Sequence, residues 1–175
     1  IVEELLCLIK DMKIEENIGA ATTYINCGTV YKAFSKAEEA LPLFFKAQSI
    51  YKKELESSDA RFGALYNNMA LALVDLKRFN EAYELYEKAI SVMQKNENGI
   101  LEIAITYLNI ASAKEVELGI EKSSEIIDEY LKKAMKILDE YENRDGYYAF
   151  VCEKCASVFD YYGYFVYNLE LKERV

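Results

Sequence analysis

The stretch GALYNNMALALVDLKRFNEAYELYEKAI, residues 63–90, decides the fold. Its small and apolar residues recur at three- and four-residue intervals, with almost none of the period-two alternation of a strand. The run LKRFNEAYELYEKAI (76–90) supplies both a turn between two helices and the apolar stripe of the second. Taking Tyr66 as an anchor, Asn68, Ala70, Ala82, Tyr86 and Ala89 follow at fixed offsets. A step of 42 residues upstream reaches Tyr24, and the same offsets give Asn26, Gly28, Ala40, Phe44 and Ala47. A step of 41 residues downstream reaches Tyr107, with Asn109 and Ala111 in place. Ile127, Leu131 and Ala134 then match after an insertion of four residues, and a fourth start follows 45 residues on at Cys152 and Ala156. A period of this size means that each unit is one supersecondary element stacked on its neighbours.

Each unit reads as two amphipathic helices. In the first helix, Gly28, Ala70, Ala111 and Ala156 form a column of small side chains that lets two helices approach closely. Phe44 and Tyr86 on the second helix fill the gap with ring surface. The pattern predicts a helix over 2–13, then pairs at 18–34 with 36–55, 59–76 with 79–95 and 100–118 with 122–142, and a last helix over 146–170. Ser35 and Asn80 are expected to cap helix starts, Pro42 to kink its helix, and the insertion near LGIEKSSEII (118–127) to lengthen a loop. The chain reads as a single array over 1–175. Residues 1–16 are expected to hold an N-terminal helix, which can be read as half of a preceding repeat. Repeats follow at 17–57, 58–98 and 99–143, with a partial repeat at 144–175.

Composition narrows the function classes. Thirty acidic against 21 basic residues give a net charge of −9, which disfavours nucleic acid as the main ligand. The acidic surface aids solubility or favours basic or neutral peptides. The absence of His excludes imidazole bases and His-containing zinc sites. Neither G-x-x-x-x-G-K-[ST] nor G-x-G-x-x-G is present, and pairs such as Glu38 with Glu39 or Glu115 with Glu117 lie on solvated helix faces. The expectation is a protein without catalytic activity, metal or cofactor. Cys152 and Cys155 fall on one helix face, where core packing is expected rather than a metal or redox site. Four reduced thiols fit a cytoplasmic protein. No apolar run reaches membrane-spanning length. The chain begins at Ile1 without Met, so a fragment or trimmed chain is expected, and whether a further N-terminal domain exists is left open.

At Tyr66, Ala70, Phe79, Ala82, Tyr86 and Ala89 the chain resembles the tetratricopeptide repeat family. Its longer spacing is similar to the extended repeats of kinesin light chains and Gram-positive peptide-pheromone receptors, against a usual period of about 34 residues. The family's terminal Pro is missing, Lys114 occupies an apolar position, and Cys152 replaces the anchor Tyr. The resemblance implies an all-α, right-handed superhelix (an α-solenoid) of antiparallel helix pairs, with the first helix of each pair on the concave side.

On that side Asn26, Asn68 and Asn109 share one column, which Lys154 continues. A carboxamide both donates and accepts, so it can pair with the N–H and C=O of an extended peptide. The resemblance implies that use, while a merely solvated or capping column is the alternative. Thr29, Leu71 and Ser112 stand beside the column, and Asp75, Glu115 and Asp160 make the surface more acidic toward the C-terminus. These ten residues are the candidate peptide site, with a basic segment the expected ligand. No Lys and Arg cluster accompanies Asn68, which disfavours the clamp that grips chaperone C-termini. The rings of 147–167 point to packing, a partner or self-association. A structural scaffold, or the sensor part of a larger regulator, is the other reading.

Overall fold

The computed structural model describes residues 1–96 and 99–175. Among them are nine α-helices and no strand: α1 (Val2–Asp11), α2 (Ile18–Ala33), α3 (Ala37–Glu54), α4 (Ala60–Asp75), α5 (Phe79–Met93), α6 (Gly99–Leu118), α7 (Ile120–Glu140), α8 (Gly146–Tyr161) and α9 (Phe165–Glu173). They form two compact units, one over Ile1–Asn96 and one holding the described residues from 99 onward. In the first, α2 pairs with α3 and α4 with α5, while α3 packs on α4 and α1 on α2. In the second, α6 pairs with α7 and α8 with α9, and α6 lies beside α8. The all-α array of helix pairs expected from the periodicity is present.

The close approach within each pair has the predicted chemistry. Gly28, Ala70, Ala111 and Ala156 are all buried, and so are Phe44, Tyr86 and Leu131. A methyl group added at Gly28 would lie 2.6 Å from the Phe44 ring, so the largest side chain of that contact occupies the room that the smallest leaves. Ala82 is fully buried as well. Cys152 and Cys155 belong to the apolar core of the second unit. Burial raises the Cys155 thiol to about 12.

The helix ends depart from expectation. Ser35 and Asn80 cap nothing: α3 and α5 follow Lys36 and Arg78 with no side-chain cap. Ser35, Lys77 and Gly163 instead take positive φ values of 59°, 61° and 83°. The next amide in each case reaches back five residues, Lys36 to Tyr31, Arg78 to Leu73 and Tyr164 to Phe159, at 2.8–2.9 Å. This left-handed closure satisfies the last carbonyls of the first helix and turns the chain in one step. Side-chain caps serve α2, α4 and α8: Asn17 accepts from Ala20, Asp59 from Arg61, and Asp145 from Tyr147 and Tyr148. The Arg61 guanidinium beside Asp59 also holds that carboxyl down at about 2.

Two further differences concern length. The expected helix over 146–170 is two helices, because Gly163 allows the same left-handed turn there. The four-residue insertion does not lengthen a loop. It adds two residues to the end of α6 and four to the start of α7, and the two helices are joined by Gly119 alone where the earlier pairs use three residues. Four residues are close to one helical turn, so the insertion preserves the packing phase. Pro42 is exposed, and α3 runs unbroken past it.

Two substitutions test this packing by chemical denaturation. Gly28→Ala is expected to lose about 1–3 kcal/mol to overpacking against Phe44, despite the better helix propensity of Ala. Lys77→Gly is expected to gain about 0.5–1 kcal/mol by relieving a left-handed residue. A gain from the first, or a loss from the second, contradicts the geometry.

Candidate functional site

The residues read as a binding surface lie at solvent-accessible positions of the first helices. In the first unit Asn26 is exposed on α2, and Asn68 is half-buried on the neighbouring α4. The Asn68 amide donates to the Ala64 carbonyl at 3.1 Å, which leaves its oxygen and a second N–H available. Thr29 is exposed, with its hydroxyl donated to the Ile25 carbonyl, and Leu71 is half-buried. Asp75 faces Lys32 of α2, with Nζ to carboxylate oxygen at 3.7 Å. An ion pair therefore spans α2 and α4 beside the Asn column.

In the second unit Asn109 and Ser112 are half-buried on α6, and Lys154 is exposed on the adjacent α8. The Lys154 ammonium stands 4.7 Å from the centroid of the Phe150 ring, a cation–π contact. Glu115 accepts from two phenols, Tyr161 at 2.7 Å and Tyr162 at 2.8 Å. Asp160 is turned toward α9, where it accepts from the Asn168 amide at 2.8 Å. The three acids expected to read a basic ligand thus have different surroundings. Among the described residues, Asp75 faces a cation, whereas Glu115 and Asp160 accept from neutral donors.

The sequence displays the rings of 147–167 but not their hydroxyl partners. The Tyr147 hydroxyl donates to Glu102, Tyr164 to Asp128 at 2.9 Å, and Tyr167 to Asp139 at 2.9 Å. Tyr148 donates to the Leu138 carbonyl, and Arg174 donates to the Tyr148 oxygen while pairing with Asp139. Phenols of the last two helices are therefore fastened to acceptors on α6 and α7. Burial, and then the carboxylate beside each hydroxyl, push these tyrosines above their ordinary range, Tyr164 to about 12 and Tyr147 and Tyr167 also upward. Among the described residues no group of three or more His, Cys, Asp or Glu is placed to hold a metal ion. None of the described helices is long and apolar enough to cross a membrane.

This pairing of helices around small-residue contacts fits the family resemblance carried by Tyr66–Ala89. The tetratricopeptide repeat family model matches residues 63–96. The repeats are tetratricopeptide-like. Over 99% of the chain the structure is similar to kinesin light chain nearly identical TPR-like repeats from Podosopora anserina, at 17% identity, 81% coverage of that chain and a TM-score of 0.61. A single-substitution variant of that protein gives the same identity and coverage and a TM-score of 0.62. A search of curated proteins finds no match. At this identity the structural likeness establishes the fold. Tetratricopeptide-like repeats are generally protein–protein interaction modules.

The tyrosine–carboxylate contacts predict alkaline sensitivity. A phenol whose folded pKa lies above its unfolded value near 10 contributes stability below about pH 10 and loses it as pH rises through the folded value. Circular dichroism should therefore show the second unit loosening as pH approaches and passes about 12, and Tyr164→Phe should blunt that transition. A transition that Tyr164→Phe leaves unchanged would remove Tyr164 from the linkage.

Proposed function

We propose that the chain is a non-catalytic module that binds an extended peptide segment of a partner protein on its first helices, with main-chain hydrogen bonds from Asn26, Asn68 and Asn109. The observation that carries this reading is the placement of all three carboxamides at solvent-accessible positions of equivalent helices. Mid-helix Asn has poor helix propensity, which a contact made outside the helix offsets. Thr29, Leu71, Ser112 and Lys154 border the column, and Asp75, Glu115 and Asp160 add the negative charge that favours a basic ligand. The unpaired thiols of Cys27, Cys152 and Cys155 suit a reducing compartment such as the cytoplasm.

Each main-chain bond contributes about 0.5–1.5 kcal/mol net. Once a binder has been selected from a peptide array, each Asn→Ala variant should bind it several-fold more weakly with little change in melting temperature. The losses should be similar for peptides of different sequence. Undiminished affinity in the triple variant would remove the Asn column from the mechanism.

A second reading, self-association through α9, is favoured by the solvent exposure of Phe165, Val166 and Leu169 on one side of that helix. Light scattering at rising concentration should then give a mass above that of one chain, and a Phe165→Glu, Leu169→Lys double variant should return it to one chain. A constant monomer mass would sink this reading.

A further inference from the structure

Glu102 and Glu115 stand on the face of α6 that adjoins α8. Among the described residues no ion pair involves either of them; their contacts are phenol hydroxyls, from Tyr147 to Glu102 and from Tyr161 and Tyr162 to Glu115. Four of the six acids of α7 differ: Asp128, Glu129 and Glu140 each pair with a lysine one turn away, and Asp139 pairs with Arg174. A phenol satisfies a carboxylate oxygen without cancelling its charge, so the α6–α8 face keeps a negative potential that the α7 face has largely neutralised.

Beside each of these acids lies exposed ring surface. Tyr147 and Phe150 stack at 6.2 Å, and Phe150 is 47% exposed. At the other end of α8, the Tyr161 ring meets Tyr162 edge-on at 4.9 Å and is 69% exposed, a large fraction for a ring whose hydroxyl is fixed. One of the two places already accommodates a cation from the chain itself, because Lys154 sits over Phe150. An aromatic face backed by an unneutralised carboxylate suits a guanidinium or ammonium group, which the ring quadrupole and the charge both attract.

We infer that the α6–α8 face of the second unit holds two seats for basic side chains of an extended peptide, one at Glu102, Tyr147 and Phe150 and one at Glu115 and Tyr161, with Lys154 as an internal occupant that the ligand displaces from the first. The inference rests on the peptide-binding reading above and adds which unit selects for charge. Glu102 and Glu115 are thirteen positions apart on one helix. At a rise of about 1.5 Å per residue that is about 20 Å. An extended peptide covers the same span with about six residues, at about 3.3 Å each.

The test uses labelled twelve-residue Gly–Ser peptides with two arginines six residues apart, and matching peptides with glutamine in place of arginine, in fluorescence polarisation against the full chain. The arginine peptide should bind about tenfold more tightly than the glutamine peptide at low salt, and the preference should shrink at high salt. Glu102→Gln and Glu115→Gln should each remove most of the preference, with unchanged circular dichroism. Tyr161→Phe, which keeps the ring, should retain more of it than Tyr161→Ala. Lys154→Met should strengthen binding of the arginine peptide about two- to fivefold by vacating Phe150, a gain that damage to the fold would not produce. Equal binding of the two peptides, an arginine preference that both Glu→Gln variants preserve, or weaker binding by Lys154→Met would each overturn the two seats. Loss of affinity in the Asn→Ala variants bears only on the main-chain contacts, so the two readings fail separately.

Discussion

The constraint on which the structure depends is the distance between the two helices of each pair. It is set where Gly28 meets Phe44 and where the equivalent Ala70 and Ala111 lie buried. A helix carries its backbone within about 2.3 Å of its axis, so the side chains at the crossing decide how near two axes come. With a small residue on one side and a large one on the other, apolar surface is removed from water without a void. Once that distance is fixed, the turn between the helices has to be short. Ser35, Lys77 and Gly163 meet this demand with the same left-handed closure, although only one of them is a residue that favours it. Packing overrides local preference at the other two.

The fold was legible because this constraint leaves a trace at fixed offsets in the sequence. Small residues that recur at four equivalent places, with apolar neighbours at helical spacing, fit few architectures besides stacked helix pairs. What the sequence concealed lay at the helix ends. In YYGYFVYNL, residues 161–169, apolar residues continue on both sides of Gly163, and the helical pattern masks the break. The insertion was hidden for the opposite reason. Four residues nearly complete a turn, so the pattern resumes in phase whether they extend a helix or a loop. Ser35 and Asn80 have the chemistry of caps, but the chain there is committed to a turn closed by backbone hydrogen bonds, and Ser35 is held at positive φ.

The candidate site was legible to a different depth. Polar residues at positions that helical phase keeps away from the core were readable, and Asn26, Asn68, Asn109 and Lys154 do reach solvent. The partners of the acids were not. Glu115 meets Tyr161 and Tyr162 across more than forty residues, and a period-based reading carries no information about which hydroxyl reaches which carboxylate. The same limit applies to Lys32 and Asp75, whose ion pair depends on the lateral contact of α2 with α4. Abundance of tyrosine in the last helices was visible, whereas its role as a set of ties to α6 and α7 required the tertiary contacts.

Fastening helices with phenols has a kinetic consequence. A lysine that secures a carboxylate removes one negative charge from the surroundings, and a tyrosine that secures it removes none. Glu102 and Glu115 can therefore hold α8 in place and keep their charge as a field extending into solvent, whereas Asp128 and Asp139, which accept from Tyr164 and Tyr167, are also paired with Lys132 and Arg174. At physiological ionic strength such a field decays over about 8 Å. That is short beside the protein, yet long enough to orient a positively charged segment in the last stage of a diffusional encounter. At Glu102 and Glu115 cohesion and attraction then draw on the same carboxylates, so the proposed capture of a basic segment would be faster in dilute salt than in concentrated salt.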